Sequence, residues 1–209
     1  MQLTGMLWGR KLLDLVEFPH SEVRGPELSV DEIKDMIKRH GQIFIKPLFK
    51  GGVGKKGKSG LLGRVDNIAD ALKEKERLYF AEHVDGFLKA KSDGVTYEGS
   101  VPADYEVYFS ISESTEHRCP IMTITHHGGV DIEELDSDKM KVVPFDALTG
   151  LKAFHVSNAL MELGAPTALI SPLVQNLPKL WDLYNNYGML MLELNPIRMQ
   201  PGKGGRLTP

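Results

Sequence analysis

The chain predicts an α+β fold in which short, mainly antiparallel strands alternate with capped amphipathic helices. A strand-like run at 42–48 returns at 61–65 across a glycine-rich tip. The runs 106–111 and 120–126 alternate apolar and polar residues, as paired antiparallel strands do. Between and after these runs, apolar residues recur at helical spacing behind recognisable caps. With 209 residues, the chain can bury one good core or two small lobes.

Taken in order, Ser29-Val30-Asp31-Glu32 has the form of a capping box, with Ile33, Met36 and Ile37 on one face and Gly41 past the end. A helix over 29–40 follows from it. Residues 42–48 then form a strand, 61–65 a returning strand, and Asp66 caps a helix to about Arg77. Residues 78–84 read as a short strand, and 85–103, polar and without periodicity, as an inserted loop. Gly128-Gly129 turns into an acidic segment. A helix over 151–163 ends at Gly164, and a second starts at Ser171-Pro172 with Leu173, Leu177, Leu180 and Tyr184 on one face. Residues 189–194 form an apolar strand stopped by Asn195-Pro196, and 198–209 is read as a flexible tail.

Composition narrows the function classes. A net charge of −3 argues against nucleic acid as the main partner. No apolar run approaches the roughly 20 residues of a membrane span, and residues 1–17 lack a cleavage pattern for secretion. Cys119, the single cysteine, excludes an internal disulfide and a thiolate cage. The expected compartment is the cytoplasm.

The chemistry concentrates after the first strand. Ile43-Phe44-Ile45-Lys46-Pro47 leads into Gly51-Gly52-Val53-Gly54-Lys55-Lys56-Gly57-Lys58-Ser59-Gly60. Glycines let backbone N–H groups approach an anion, and lysines neutralise it, so the loop reads as a polyphosphate cradle. Residues 52–59 also fit the G-x-x-x-x-G-K-S string of a P-loop. That motif needs a buried parallel strand before it and a helix N-terminus after it. Here Lys46, Pro47 and Lys50 interrupt the strand, and Gly60-Leu61-Leu62-Gly63 is a poor helix start.

Five strings occur in order: Ile45-Lys46-Pro47; Gly57-Lys58-Ser59-Gly60-Leu61; His126-His127-Gly128-Gly129-Val130-Asp131-Ile132-Glu133; Phe145-Asp146-Ala147-Leu148-Thr149-Gly150; and Leu192-Glu193-Leu194-Asn195-Pro196. Together they resemble the ATP-grasp region of the ATP-citrate lyase and succinyl-CoA synthetase β-subunit family. The diglycine and Glu-Leu-Asn-Pro strings lean to the lyase branch, and Leu-Thr-Gly to the succinyl-CoA branch. The resemblance implies an α+β ATP-grasp fold of two lobes, with mainly antiparallel sheets and flanking helices. Residues 1–84 would partly form the smaller lobe with the glycine hairpin, 104–197 the larger lobe, 85–103 an insertion and 198–209 a tail.

It also implies roles. Lys46 matches the lysine that reaches the ATP phosphates; a lysine on a buried strand is costly unless an anion meets it. Lys56, Gly57 and Lys58 match the covering loop. Glu82 and Val84 match the acid and hinge that read the adenine edge, and Glu106 the ribose acid, with Asp104 as a neighbouring possibility. Asn195 matches a Mg²⁺ ligand and Glu193 the carboxylate facing a phosphohistidine; by strand alternation these two share a face. His126 and His127, adjacent on a strand, would point to opposite faces, which favours loop anchoring over metal ligation.

The implied reaction is ATP-dependent ligation of a carboxylic acid to CoA, with citrate expected first and succinate second. ATP and Mg²⁺ are the expected cofactors. CoA, the acid and the phosphohistidine are expected on a partner subunit or further domain, in a hetero-oligomer. Two departures stand out. The glycine loop is two residues longer than the family pattern, and no second acidic metal ligand is evident before Pro209. A P-loop NTPase and a non-catalytic interaction domain are the competing classes.

Overall fold

A computed structural model of the chain describes residues 6–49, 60–85, 88–129, 132–199 and 207–208. These fall into two compact units, Met1–Lys11 with Ser21–Val101 and Leu12–His20 with Pro102–Pro209. Helix α1 (Met6–Leu15) begins in the first unit and ends in the second.

The first unit contains β1 (Val23–Arg24), α2 (Val30–His40), β2 (Ile43–Phe49), β3 (Gly63–Val65), α3 (Ile68–Tyr79), β4 (Glu82–Asp85) and β5 (Leu88–Gly99). The predicted capping box closes α2: the Glu32 N–H donates to Ser29 Oγ, and the Ser29 N–H donates to Glu32 Oε2. Gly41 ends the helix at φ 70°, a conformation that favours glycine. The sheet runs β1-β5-β2-β3, all antiparallel, with β4 beside the first half of β5. Alternation in β2 sends Ile43, Ile45 and Phe49 into a core with Ile33 and Met36 of α2, Ala71 and Leu78 of α3, and Val95 and Tyr97 of β5. Lys46 lies on the opposite face.

Three expectations change here. Residues 85–103 are no inserted loop: Leu88–Gly99 is the strand β5, to which β1, β2 and β4 all pair. Asn67, not Asp66, caps α3, whose Asp70 N–H donates to Asn67 Oδ1. Leu78 and Tyr79 end α3 rather than open a strand.

In the second unit, β6 (Tyr105–Ser114), β7 (Cys119–Thr125) and β8 (Lys141–Pro144) precede α4 (Ala153–Glu162), α5 (Thr167–Asn176) and α6 (Lys179–Asn186); β9 (Met191–Met199) and β10 (Leu207–Thr208) follow. The sheet order is β10-β9-β6-β7-β8, again antiparallel. Its apolar face presents Val107, Phe109, Ile111, Met122, Ile124 and Ile197, all fully buried. The helices contribute Val156, Leu160, Leu169, Leu173, Leu177 and Leu180, equally buried.

Ser171-Pro172 lies inside α5, so it opens no helix; the break falls at Leu177-Pro178. Leu173, Leu177, Leu180 and Tyr184 are nevertheless all buried, as their spacing required. Asn195-Pro196, a cis peptide, does not stop β9, which continues to Met199 past a bulge opposite Tyr108. Part of the expected tail is ordered: Leu207–Thr208 pairs with β9. Among the described residues no helix is long and apolar enough to cross a membrane.

Candidate functional site

In the first unit, β2 and β5 bring two side chains together on the face away from the core. Lys46 Nζ pairs with Glu98 Oε2. Register explains it: Lys46 opposes Thr96 and Phe44 opposes Glu98, so lysine and acid are diagonal neighbours. The Glu98 side chain is 11% exposed and that of Lys46 33%. A carboxylate that deep needs a cation, and Lys46 supplies it.

Sequence reasoning missed Glu98 because it lay in the supposed insertion. Its signal was Val95-Thr96-Tyr97-Glu98, a β-branched and aromatic run just before the chain crosses to the second unit at Val101–Pro102. Glu82 and Val84 sit elsewhere, on β4, both exposed. Glu82 opposes Lys91 while Lys46 opposes Thr96, five residues further along β5, about 17 Å at the extended rise. The structure does not bring them to Lys46. Lys56, Gly57 and Lys58 lie outside the described residues.

The segment leading to the crossing is fastened. The Gly99 N–H donates to the Glu22 carbonyl at 3.0 Å and the Ser100 N–H to the Gln42 carbonyl at 3.0 Å. The Glu22 carboxylate also meets Arg24, Arg39 and His40. Burial alone would raise its pKa, but hydrogen bonds from His40, Arg39 and Arg24 hold it down to about 2.

In the second unit, the polar face carries Glu106, Tyr108 and Ser110 on β6, with Glu193 and Arg198 opposite Ser110 and Glu106 on β9. Glu106 Oε1 accepts from Arg198 Nε at 2.8 Å. The diglycine turn lies against this pair. The Gly128 N–H donates to the Glu106 carbonyl at 2.6 Å, and the Gly129 N–H donates to Asn195 Oδ1 at 2.9 Å. Space requires the first glycine and backbone conformation the second. A Cβ on Gly128 would stand 2.5 Å from the Val107 backbone carbon; one on Gly129, at φ 106°, would stand 2.6 Å from Glu106 Oε2.

Asn195 and Glu193 are both exposed, two residues apart on β9. Asn195 Oδ1 keeps a second lone pair beside its bond to Gly129, so the pair offers the hard oxygen donors that suit Mg²⁺. Burial raises the Tyr108 pKa, against a Ser110 hydrogen bond, and the Glu193 charge adds to the rise.

The two histidines follow β7 rather than alternate along it, and their rings lie 4.1 Å apart, not on opposite faces. His126 Nδ1 is buried without a partner; burial first, and His127 second, lower its pKa. Among the described residues no cluster of three or more His, Cys, Asp or Glu side chains could hold a metal. The His127 N–H donates to Thr125 Oγ1 at 3.1 Å.

The P-loop context fails. Strand β2 is antiparallel to both neighbours, and the described chain after the loop returns as β3 rather than a helix.

Each unit is an antiparallel sheet backed by helices with an ion pair on its polar face, which agrees with the expected ATP-grasp fold. The ATP-grasp domain family matches residues 16–199, and the chain belongs to it. Its relatives include the succinate–CoA ligase [ADP-forming] β subunit of Desulfatibacillum aliphaticivorans, 28% identical over 178 residues, 82% of this chain and 46% of that one. ATP citrate lyase from Methanothrix soehngenii, solved in complex with citrate and coenzyme A, has a TM-score of 0.67 at 20% identity, covering 95% of this chain and 45% of that one. Acetyl-coenzyme A synthetase 1 of Ca. Korarchaeum cryptofilum has a TM-score of 0.68 at 14% identity, covering 95% and 87%. The chain spans less than half the length of the curated relatives it matches.

Proposed function

We propose that this chain is the ATP-binding part of an ATP-dependent acid–CoA ligase. The observation that carries the reading is Lys46, held by Glu98 on the polar face of β2 at the entry to a glycine- and lysine-rich segment. Phosphoryl-transfer proteins work by positioning and charge neutralisation; the Lys46 ammonium, held by Glu98, would supply both, with Lys56 and Lys58 of the glycine- and lysine-rich segment as further cations. Gly57 is proposed as part of the same phosphate-covering segment. Glu106 serves the ribose. Asn195, with Glu193 beside it, would hold Mg²⁺, which neutralises phosphate charge when bound. Glu193 would also face the phosphohistidine.

The adenine-reading acid and hinge are better placed at Glu98–Val101 than at Glu82 and Val84. Glu98 contacts Lys46 and precedes the crossing between units, whereas β4 lies away from both.

The relatives' names support the reaction class. Citrate is proposed as the acid, because the diglycine and Glu-Leu-Asn-Pro strings are lyase-like; succinate is the alternative, favoured by Leu148-Thr149-Gly150. CoA and the phosphorylated histidine would belong to another subunit or domain of a cytoplasmic hetero-oligomer.

Thermal shifts with ATP, GTP and no nucleotide, in Mg²⁺, test this on wild type, Lys46→Ala and Lys58→Ala. Nucleotide should raise the Tm of wild type, and Lys46→Ala should abolish the ligand-induced rise. A dominant lesion at Lys58 with a mild one at Lys46 would favour a P-loop NTPase. No nucleotide effect on wild type would leave an interaction domain.

A further inference from the structure

Glu106 and Asn195 are not independent side chains. Arg198 Nε holds Glu106 Oε1 at 2.8 Å. Glu106 Oε2 rests over Gly129, close enough that a Cβ there would be 2.6 Å away. The Gly128 N–H is bonded to the Glu106 carbonyl, and the Gly129 N–H to Asn195 Oδ1. The path from Arg198 to Asn195 therefore runs through one carboxylate and one two-residue turn, with hydrogen bonds at both ends and the Glu106 carboxylate standing where a Gly129 side chain would begin. Strand geometry alone does not couple the ends, because a bulge separates Asn195 from the regular pairing of Arg198 with Glu106.

We propose that Arg198 and the Gly128–Gly129 turn are positioning elements that couple nucleoside recognition at Glu106 to the metal-facing amide of Asn195. This rests on the ATP-binding reading above and adds to it the regulation of that site. A ribose hydroxyl that engages the Glu106 carboxylate fixes its free oxygen over Gly129. Fixing Gly129 fixes its N–H, and with it the Asn195 amide, whose remaining lone pair would be the one to hold the metal. Coupling of this kind is reciprocal: Mg²⁺ sharpens the response to the ribose as much as the ribose sharpens the response to Mg²⁺. Arg198 is the part that sequence reasoning gave no role. Without it, Glu106 can swing from the turn and the coupling ends, although each group can still touch its own ligand.

The test is a binding cycle on the whole chain, using ATP and 2′,3′-dideoxy-ATP, each with Mg²⁺ and with excess EDTA. In wild type, loss of Mg²⁺ should weaken ATP more than dideoxy-ATP, by about fivefold or more, the low end of allosteric couplings. In Arg198→Gln and Gly129→Ala the two Mg²⁺ effects should become equal, and Arg198→Lys should restore the difference. A merely structural role would lower both affinities in proportion and leave their ratio intact. Wild type with equal Mg²⁺ effects, or Arg198→Gln with the wild-type ratio, overturns the inference while ATP binding stands. Wild type that binds neither nucleotide overturns the ATP reading itself. Arg198→Gln and Arg198→Lys decide the matter even if Gly129→Ala does not fold.

Discussion

The two sheets each place an acid–base pair on their polar face, but with the depths arranged differently. In the Lys46–Glu98 pair the acid is 11% exposed and the lysine 33%, whereas Glu106 and Arg198 are 36% and 33% exposed. The first pair lets a carboxylate sit in a nearly dry place. Both members of the second are about a third exposed, where ion pairs contribute little stability, so its value lies in orientation. One device thus serves two ends: neutralisation in the first unit, aiming in the second.

The largest expected effect breaks this contrast at the buried acid. Lys46→Ala should lower the free energy of unfolding in urea by roughly 3 kcal/mol, because Glu98 is left unpaired. Adding Glu98→Gln should recover most of the stability and none of the nucleotide binding. Arg198→Ala should cost about 0.5 kcal/mol or less. Equal losses at the two lysine and arginine positions would erase the distinction.

Next come the glycines. Gly128→Ala should cost about 2 kcal/mol, since its Cβ would press on the Val107 backbone, which cannot turn aside. Gly94→Ala in β5 should cost less than about 1 kcal/mol beyond any effect on pairing, because its Cβ would meet the Pro26 ring at 3.2 Å in an irregular segment. Denaturation midpoints compare the two directly.

A smaller contrast lies in two buried tyrosines, both with pKa raised to about 12, chiefly by burial. The Tyr97 hydroxyl has no partner, so Tyr97→Phe should be neutral or stabilising by about 1 kcal/mol. The Tyr184 hydroxyl donates to Glu113 Oε1 or the Leu190 carbonyl, each at 3.4 Å, so Tyr184→Phe should cost up to about 1 kcal/mol.

A separate class of effects is the slope of stability with pH. Glu22 is depressed to about 2 from 4.5, so its contribution is complete above pH 4.5 and is lost as pH falls towards 2. His126 and His155 are lowered below 6.5 chiefly by burial, so the unfolded chain takes up protons first and stability begins to fall below pH 6.5. His126→Gln should reduce the slope of the upper window to the share carried by His155 and leave the lower; Glu22→Gln should flatten the lower and leave the upper.

What was legible in the chain follows from how strongly each element announced itself. The α2 capping box and the alternation in β6 and β7 were readable because a cap and a two-residue period are local signals. Strand β5 was not. Its Ser92, Thr96 and Glu98 are buried beside Val95 and Tyr97, so polar residues occupy covered positions on one face and apolar residues the other, with Gly94 between. It also changes partners midway, from β4 to β2, which no local pattern records. Reading 85–103 as a loop left Glu98 out of consideration. Ser171-Pro172 misled for the converse reason: a proline inside α5 imitated the first turn of a helix. The roles of Lys46 and Asn195 were named from motif alone, but their partners Glu98 and Gly129 lie 52 and 66 residues away and needed the fold.

Calorimetric titration of Mg-ATP into wild type, Lys46→Met, Asn195→Ala and the double variant asks whether both residues serve nucleotide binding. Each single change should weaken binding at least tenfold, about 1.4 kcal/mol, with the double loss differing from the sum of the singles. Wild-type affinity in either single variant would contradict a shared ligand.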